Sequence, residues 1–242
     1  MKKLLALLLA MVMVLSLAAC GDNDNDKDNK SEGSQKNTYE TPLELTMKEA
    51  NEKDASKVME RRIAILNGLC EEEYKAMLEI LKKSEDYNEE EIEERYEEQI
   101  EEMKDEFGSD YKYAYKIEEK ETLDKDELKD LQDDLKDFKN LLEEFLERTK
   151  DLDSSDWGDL ADEMGLSVSD AKDVVSVLED VCKVMDEAKV TEGYRLSVTV
   201  TVKGSNLEEP KEETSTICVY KIGGRWIAEN ALSMLSSFGN LM

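Results

Sequence analysis

The hydrophobic residues of this chain change period along its length. Apolar residues recur at steps of three and four from Thr41 to Phe107, alternate with polar ones from Tyr111 to Ile117, and return to helical spacing between Asp124 and about Ala188. Alternation resumes from Tyr194 to Val202 and again from Thr214 to Ile222. A period of 3.6 sets one stripe of a helix inward and a period of two sets one face of a strand inward, so neither geometry satisfies the other pattern. The chain must lay amphipathic helices against a sheet that keeps one wet face. The fold class this predicts is α+β.

Punctuation locates the elements. Thr41-Pro42-Leu43-Glu44 reads as a capped helix start, with a helical region through Leu66, a break near residues 51–54, and Gly68 closing it. A second helix covers Glu71 to Lys83 with Tyr74, Met77, Leu78 and Leu81 inward, and Asn88 caps a third that Gly108 ends. Asp124 with Glu127 starts a long helix whose Leu128, Leu131, Leu135, Phe138, Leu142 and Phe145 form a packing seam for a coiled-coil partner or for the protein's own sheet. Trp157, Leu160 and Met164 mark a short helix, and Ser167 with Asp170 caps an apolar one carrying Val174, Leu178, Val181, Cys182 and Met185. Three antiparallel strands follow, the last two joined by a turn at Gly223-Gly224, and a short helix is suggested for 231–242.

The N-terminus carries a different signal. Lys2 and Lys3 precede a nearly unbroken apolar run of 14 residues, Leu4 to Leu17, which is too short for a permanent transmembrane helix. Leu17-Ala18-Ala19-Cys20-Gly21 ends it. These residues, in this order, resemble the lipobox of bacterial lipoproteins. The resemblance implies that residues 1–19 are a signal peptide, that the Cys20 thiol takes a diacylglyceryl group, and that cleavage makes Cys20 the first residue. Two acyl chains hold a protein on a membrane stably, each buried methylene contributing roughly 0.8 kcal/mol. The expected localisation is the extracytoplasmic face of the cell membrane. Residues 20–37, rich in Asp, Asn, Lys, Ser and Gly, read as a disordered acidic tether, and residues 38–242 as a single domain. The other reading of the N-terminus is an ordinary secretory signal with an incidental cysteine.

Composition narrows function more by exclusion. The net charge is −28, and removal of the two signal-peptide lysines makes it −30, which repels nucleic acid and anionic headgroups. A neutral or cationic partner or a metal ion is compatible with that surface, and so is plain solubility. Histidine is absent, which removes the commonest general base and the usual serine triad. Besides Cys20, the cysteines are Cys70, Cys182 and Cys218; one disulfide at most can join them, in any of three pairings, or all stay free thiols. Asp22, Asp24 and Asp26 imitate the start of a calcium loop, but Lys27 and Gly33 stand where its glycine and closing glutamate belong. Ser169-Asp170-Ala171-Lys172 matches S-x-x-K without the companion motifs, and the serine sits at a helix start. Cys70 precedes a helix start, but Glu71, Glu72 and Glu73 oppose a thiolate there. No catalytic residue, metal site or cofactor is assigned.

Helices, one strand, more helix, then a long strand and a hairpin with Val219-Tyr220-Lys221-Ile222-Gly223-Gly224-Arg225-Trp226 make the region 38–230 similar to the cystatin-like or nuclear transport factor 2-like lipoproteins of Gram-positive bacteria. The resemblance implies N-terminal helices packed on a curved antiparallel sheet of about four strands, with residues 124–188 as a helical insertion between the first and second strands. It implies little about activity, because such folds carry many functions. Tyr113, Tyr115, Tyr220 and Trp226 are the candidate lining of a ligand pocket, although aromatics alternating on strands also build cores. The function expected is a non-catalytic interaction or ligand-binding module, held to the membrane through lipid on Cys20, with a small ligand or an envelope protein as partner. The alternatives are an envelope enzyme using carboxylates and a transporter's substrate-binding lipoprotein.

Overall fold

The computed structural model describes residues 37–58, 61, 69–84 and 87–229. The expected signal peptide, Cys20, the expected tether up to residue 36, the expected helix end at Gly68 and the segment 231–242 lie outside the described residues.

The described chain is mixed α+β, with helices and a four-stranded antiparallel sheet in the order β1-β2-β3-β4. Helices α1 (Thr41–Ala50), α2 (Glu71–Leu81) and α3 (Glu89–Phe107) precede strand β1 (Lys112–Thr122). Helices α4 (Lys125–Lys150), α5 (Ser154–Glu163) and α6 (Val168–Glu187) come next. Strands β2 (Val190–Lys203), β3 (Lys211–Ile222) and β4 (Arg225–Ala228) complete it.

Caps set most helix starts. Asn88 accepts from the Glu91 N–H, Asp124 forms a reciprocal capping box with Glu127, and Ser167 accepts from the Asp170 N–H. Asp153 and Asp156 form a second box, which starts α5. Helix α1 differs from the sequence expectation by one position. Thr41 is already helical and Glu40 is the flanking residue, so the Thr41 hydroxyl accepts from the Thr38 N–H and braces the approach instead of the helix. The expected break at 51–54 is present, with Asn51 ending α1.

The sheet has two unlike faces. Residues directly opposite in an antiparallel pair share a face, so Tyr113, Tyr115 and Ile117 lie with Val202, Val200 and Val198. A bulge between Ile117 and Glu119 then changes the parity of β1, and beyond it Lys120 and Thr122 oppose Leu196 and Tyr194 on that same face. Helix α1 covers this face through Leu43, which packs with Leu196, Val198, Val219, Trp226 and Ala228.

Among the described residues the other face is covered at one end. There α4 approaches β2, and Ile222 and Ile227 join the largest core, built from α2, α4, α5 and α6 around Met164, Ala171 and Val174. Gln132 of α4 fixes this junction, donating to the Ala188 carbonyl at 3.1 Å and accepting from the Val190 N–H at 2.9 Å. Ser197, Thr199, Thr201, Thr214 and Thr216 carry the same face out to solvent, with the hydroxyls of Thr199 and Thr214 at 2.8 Å. The hairpin between β3 and β4 turns at Gly223 and Gly224, whose φ values of 56° and 83° suit a tight two-residue turn.

Candidate functional site

The four aromatic residues singled out from the sequence do not converge. Tyr113 is buried with Phe107, Tyr111 and Val202, and its hydroxyl donates to the Met103 sulfur at 3.0 Å. Tyr115 and Trp226 belong to the cluster under α1, whereas Tyr220 packs against the helical core. The division follows from strand parity. Val219 faces α1, so its neighbour Tyr220 faces the other way, and Trp226 opposes Lys221 on the α1 side. Burial, with Cys218 beside it, raises the Tyr220 phenol. Burial pushes Tyr115 up to about 12, with Glu40 and Glu44 adding to it. Both phenols are neutral at physiological pH.

Trp226 instead anchors a different group, beside the first described residues. Its indole stacks on Tyr194, with centroids 5.3 Å apart and planes inclined by 16°. Tyr39 meets Tyr194 edge-on at 5.3 Å and 67°, and Trp226 at 6.2 Å and 76°. Trp226 is buried, while Tyr39 and Tyr194 are half-exposed. The Trp226 backbone N–H donates to the Asn37 side chain at 3.2 Å, which binds the first described residues to β4. A hydrogen bond to Glu40 raises the Tyr39 phenol, and burial adds to it.

The ammonium of Lys120 fills the angle between the two tyrosines. It lies 4.0 Å from the Tyr39 ring centroid and 4.2 Å from that of Tyr194. Both distances are well inside the reach of a cation–π contact. The site is therefore a two-walled aromatic corner, backed by an indole and holding a cation of the protein's own. Sequence reasoning found one of its members, Trp226. The alternation from Tyr194 was legible, but the position of Lys120 depends on the bulge in β1, and Tyr39 lies ahead of the first helix.

A second concave surface runs between α4 and α6. It is a groove of about 720 Å³ lined by Glu143, Glu147, Glu179, Asp186, Lys183 and Cys182 among others. Lys139 bridges its rim, pairing with Asp186 and, at 3.2 Å, with Glu143. Burial raises the Cys182 thiol, and Glu143 adds to it. Its acids are largely met by neighbouring lysines, so the groove presents a mixed surface.

The remaining sequence candidates have local structural roles. Ser169 is exposed in the first turn of α6, where Ser167 provides the cap. Cys70 flanks α2 and its thiol is pushed up to about 12, first by burial and then by Glu73. Cys70, Cys182 and Cys218 are free thiols. Among the described residues no group of three or more His, Cys, Asp or Glu side chains is arranged to hold a metal ion. Among the same residues no helix is long and apolar enough to cross a membrane. No protein family, curated protein or solved structure matches this chain.

Proposed function

We propose that this chain is a bacterial lipoprotein, anchored to the extracytoplasmic face of the cell membrane by lipid on Cys20, whose folded domain is a non-catalytic binding module. The observation that carries the reading is the run Leu17-Ala18-Ala19-Cys20-Gly21 directly after a lysine-headed apolar stretch of 14 residues. On this reading residues 20–37 are the tether, a composition of Asp, Asn, Lys, Ser and Gly whose root-mean-square reach as a flexible chain is about 20–25 Å.

On this reading the frame is cystatin-like or nuclear transport factor 2-like, and α4 to α6 are an insertion between its first and second strands. The binding role rests on the aromatic corner, where two half-exposed rings already hold an ammonium. Enzymatic chemistry has less support, because the sequence lacks histidine and the described cysteines, Tyr115 and Tyr220 are held in their neutral forms.

Metabolic labelling with a radioactive fatty acid tests the anchor. The wild-type chain should carry label and fractionate with membranes, and Cys20→Ala should carry none. Equal labelling of the two would overturn the reading.

A further inference from the structure

We propose that the corner formed by Tyr39 and Tyr194 is a binding site for a small methylated ammonium ligand of the choline type, and that Lys120 is an internal stand-in occupying it when no ligand is bound. This deepens the binding-module reading and rests on it.

Three features favour exchange over a fixed structural contact. Lys120 is exposed, on the outer half of an edge strand, so its side chain can swing into water without disturbing a core. Among the described residues its ammonium has the two rings and no carboxylate as partners, although the chain carries 60 acids. Among the described residues the two ring faces alone hold it. The walls, in contrast, are fixed: Tyr194 is stacked on the buried Trp226, and Tyr39 is braced edge-on against both rings.

The chemistry selects the ligand. A primary ammonium is compact and strongly hydrated, so it gives up much of its water to lie between rings. A trimethylammonium group spreads the same charge over methyl groups that contact both faces, the arrangement by which aromatic cages recognise quaternary ammonium. The acidic surface raises the local concentration of any cation, and Glu40, beside the Tyr39 hydroxyl, adds negative charge at the rim. Because Lys120 competes from within the molecule, the wild type binds more weakly than the corner itself would.

The test is saturation-transfer NMR on the choline methyl protons, using the full mature chain in a non-ionic maltoside micelle. Wild type should give a signal that titrates in the millimolar range. Lys120→Ala should bind about fivefold more tightly through loss of the competitor. Tyr39→Ala should abolish the signal, and Tyr39→Phe should retain it. The choice of Tyr39 limits damage to the fold, since it lies ahead of the first helix; circular dichroism of each variant confirms folding. No signal from either wild type or Lys120→Ala, or no gain in Lys120→Ala over wild type, overturns the proposal. Co-sedimentation with phosphatidylcholine vesicles, set against phosphatidylglycerol vesicles, separates a lipid headgroup from a free ligand as the source of the group. Retained fatty-acid label on Cys20 together with a silent corner would remove this ligand and leave the anchored domain standing.

Discussion

The side-chain amide of Asn51 pairs with the outer edge of Tyr113 as a neighbouring strand would. Its oxygen accepts from the Tyr113 N–H at 3.1 Å, and its nitrogen donates to the Tyr113 carbonyl at 3.4 Å. The same nitrogen also reaches the Met47 carbonyl at 3.1 Å, so one side chain closes the end of α1 and caps an edge strand. Asn51→Ala would leave part-buried groups of both elements without their partner, costing roughly 1–3 kcal/mol. Urea unfolding should show the midpoint falling with an unchanged slope. Asn51→Asp, which can accept but not donate, should fall between the two.

Gly204 allows the loop after β2 to cross the end of α3. A Cβ at this position would overlap the Phe107 carbonyl oxygen, which also accepts from the Asn206 N–H at 3.0 Å. That oxygen belongs to the backbone, so it cannot swing aside as the end of a flexible side chain would. Gly204→Ala should destabilise by about 1–3 kcal/mol, read as a lowered thermal midpoint. Gly158→Ala is the control, since a Cβ there, within helix α5, meets open space and should be neutral or slightly stabilising.

The ion pair between Lys83, just past α2, and Asp170 of α6 should make stability fall in acid. Lys83 lies 2.6 Å from Asp170, and that ion pair, helped by the Ser167 hydroxyl, holds the Asp170 carboxyl below its ordinary value. A lowered folded-state value means that the unfolded chain takes up the proton first as pH falls. The associated stability is therefore present above about pH 4, the unfolded range for Asp, and is lost as pH drops through the folded value. Asp170→Asn should flatten the decline of the urea midpoint below about pH 4 relative to wild type. An unchanged decline would show that the pair contributes nothing to it.

Thiol chemistry should report the state of the fold. Burial raises Cys70, Cys182 and Cys218 alike, Cys70 to about 12. In a Cys20→Ser background, an aromatic disulfide reagent at pH 8 should react far more slowly with the native protein than with a free thiol, because little thiolate is present. Unfolding in guanidinium should release three thiols at once. Rapid native reaction would contradict the burial of these groups.

The elements were legible where local chemistry decides them. Asn88, Asp124 and Ser167 mark helix starts because their side chains meet backbone N–H groups a few residues on, whatever the tertiary context. The strands are longer than alternation suggested. Thr191, Glu192 and Gly193 interrupt the pattern, yet β2 begins at Val190, because a register shift next to Val190 lets this segment stay paired with β3. The aromatic corner was legible only in part. Its lysine reaches the Tyr194 face through the bulge between Ile117 and Glu119; without it, strict alternation would put Lys120 on the opposite face from Tyr113 and Tyr115. Tyr220 and Trp226 looked like neighbours on a hairpin, but cross-strand register places them on opposite faces.

Lipid on Cys20 can be read from the intact mass of the protein extracted from host membranes. The proposed anchor requires a chain beginning at Cys20, with the mass of a diacylglyceryl group on its first residue. A chain that begins elsewhere, or one that begins at Cys20 with an unmodified thiol, would contradict it.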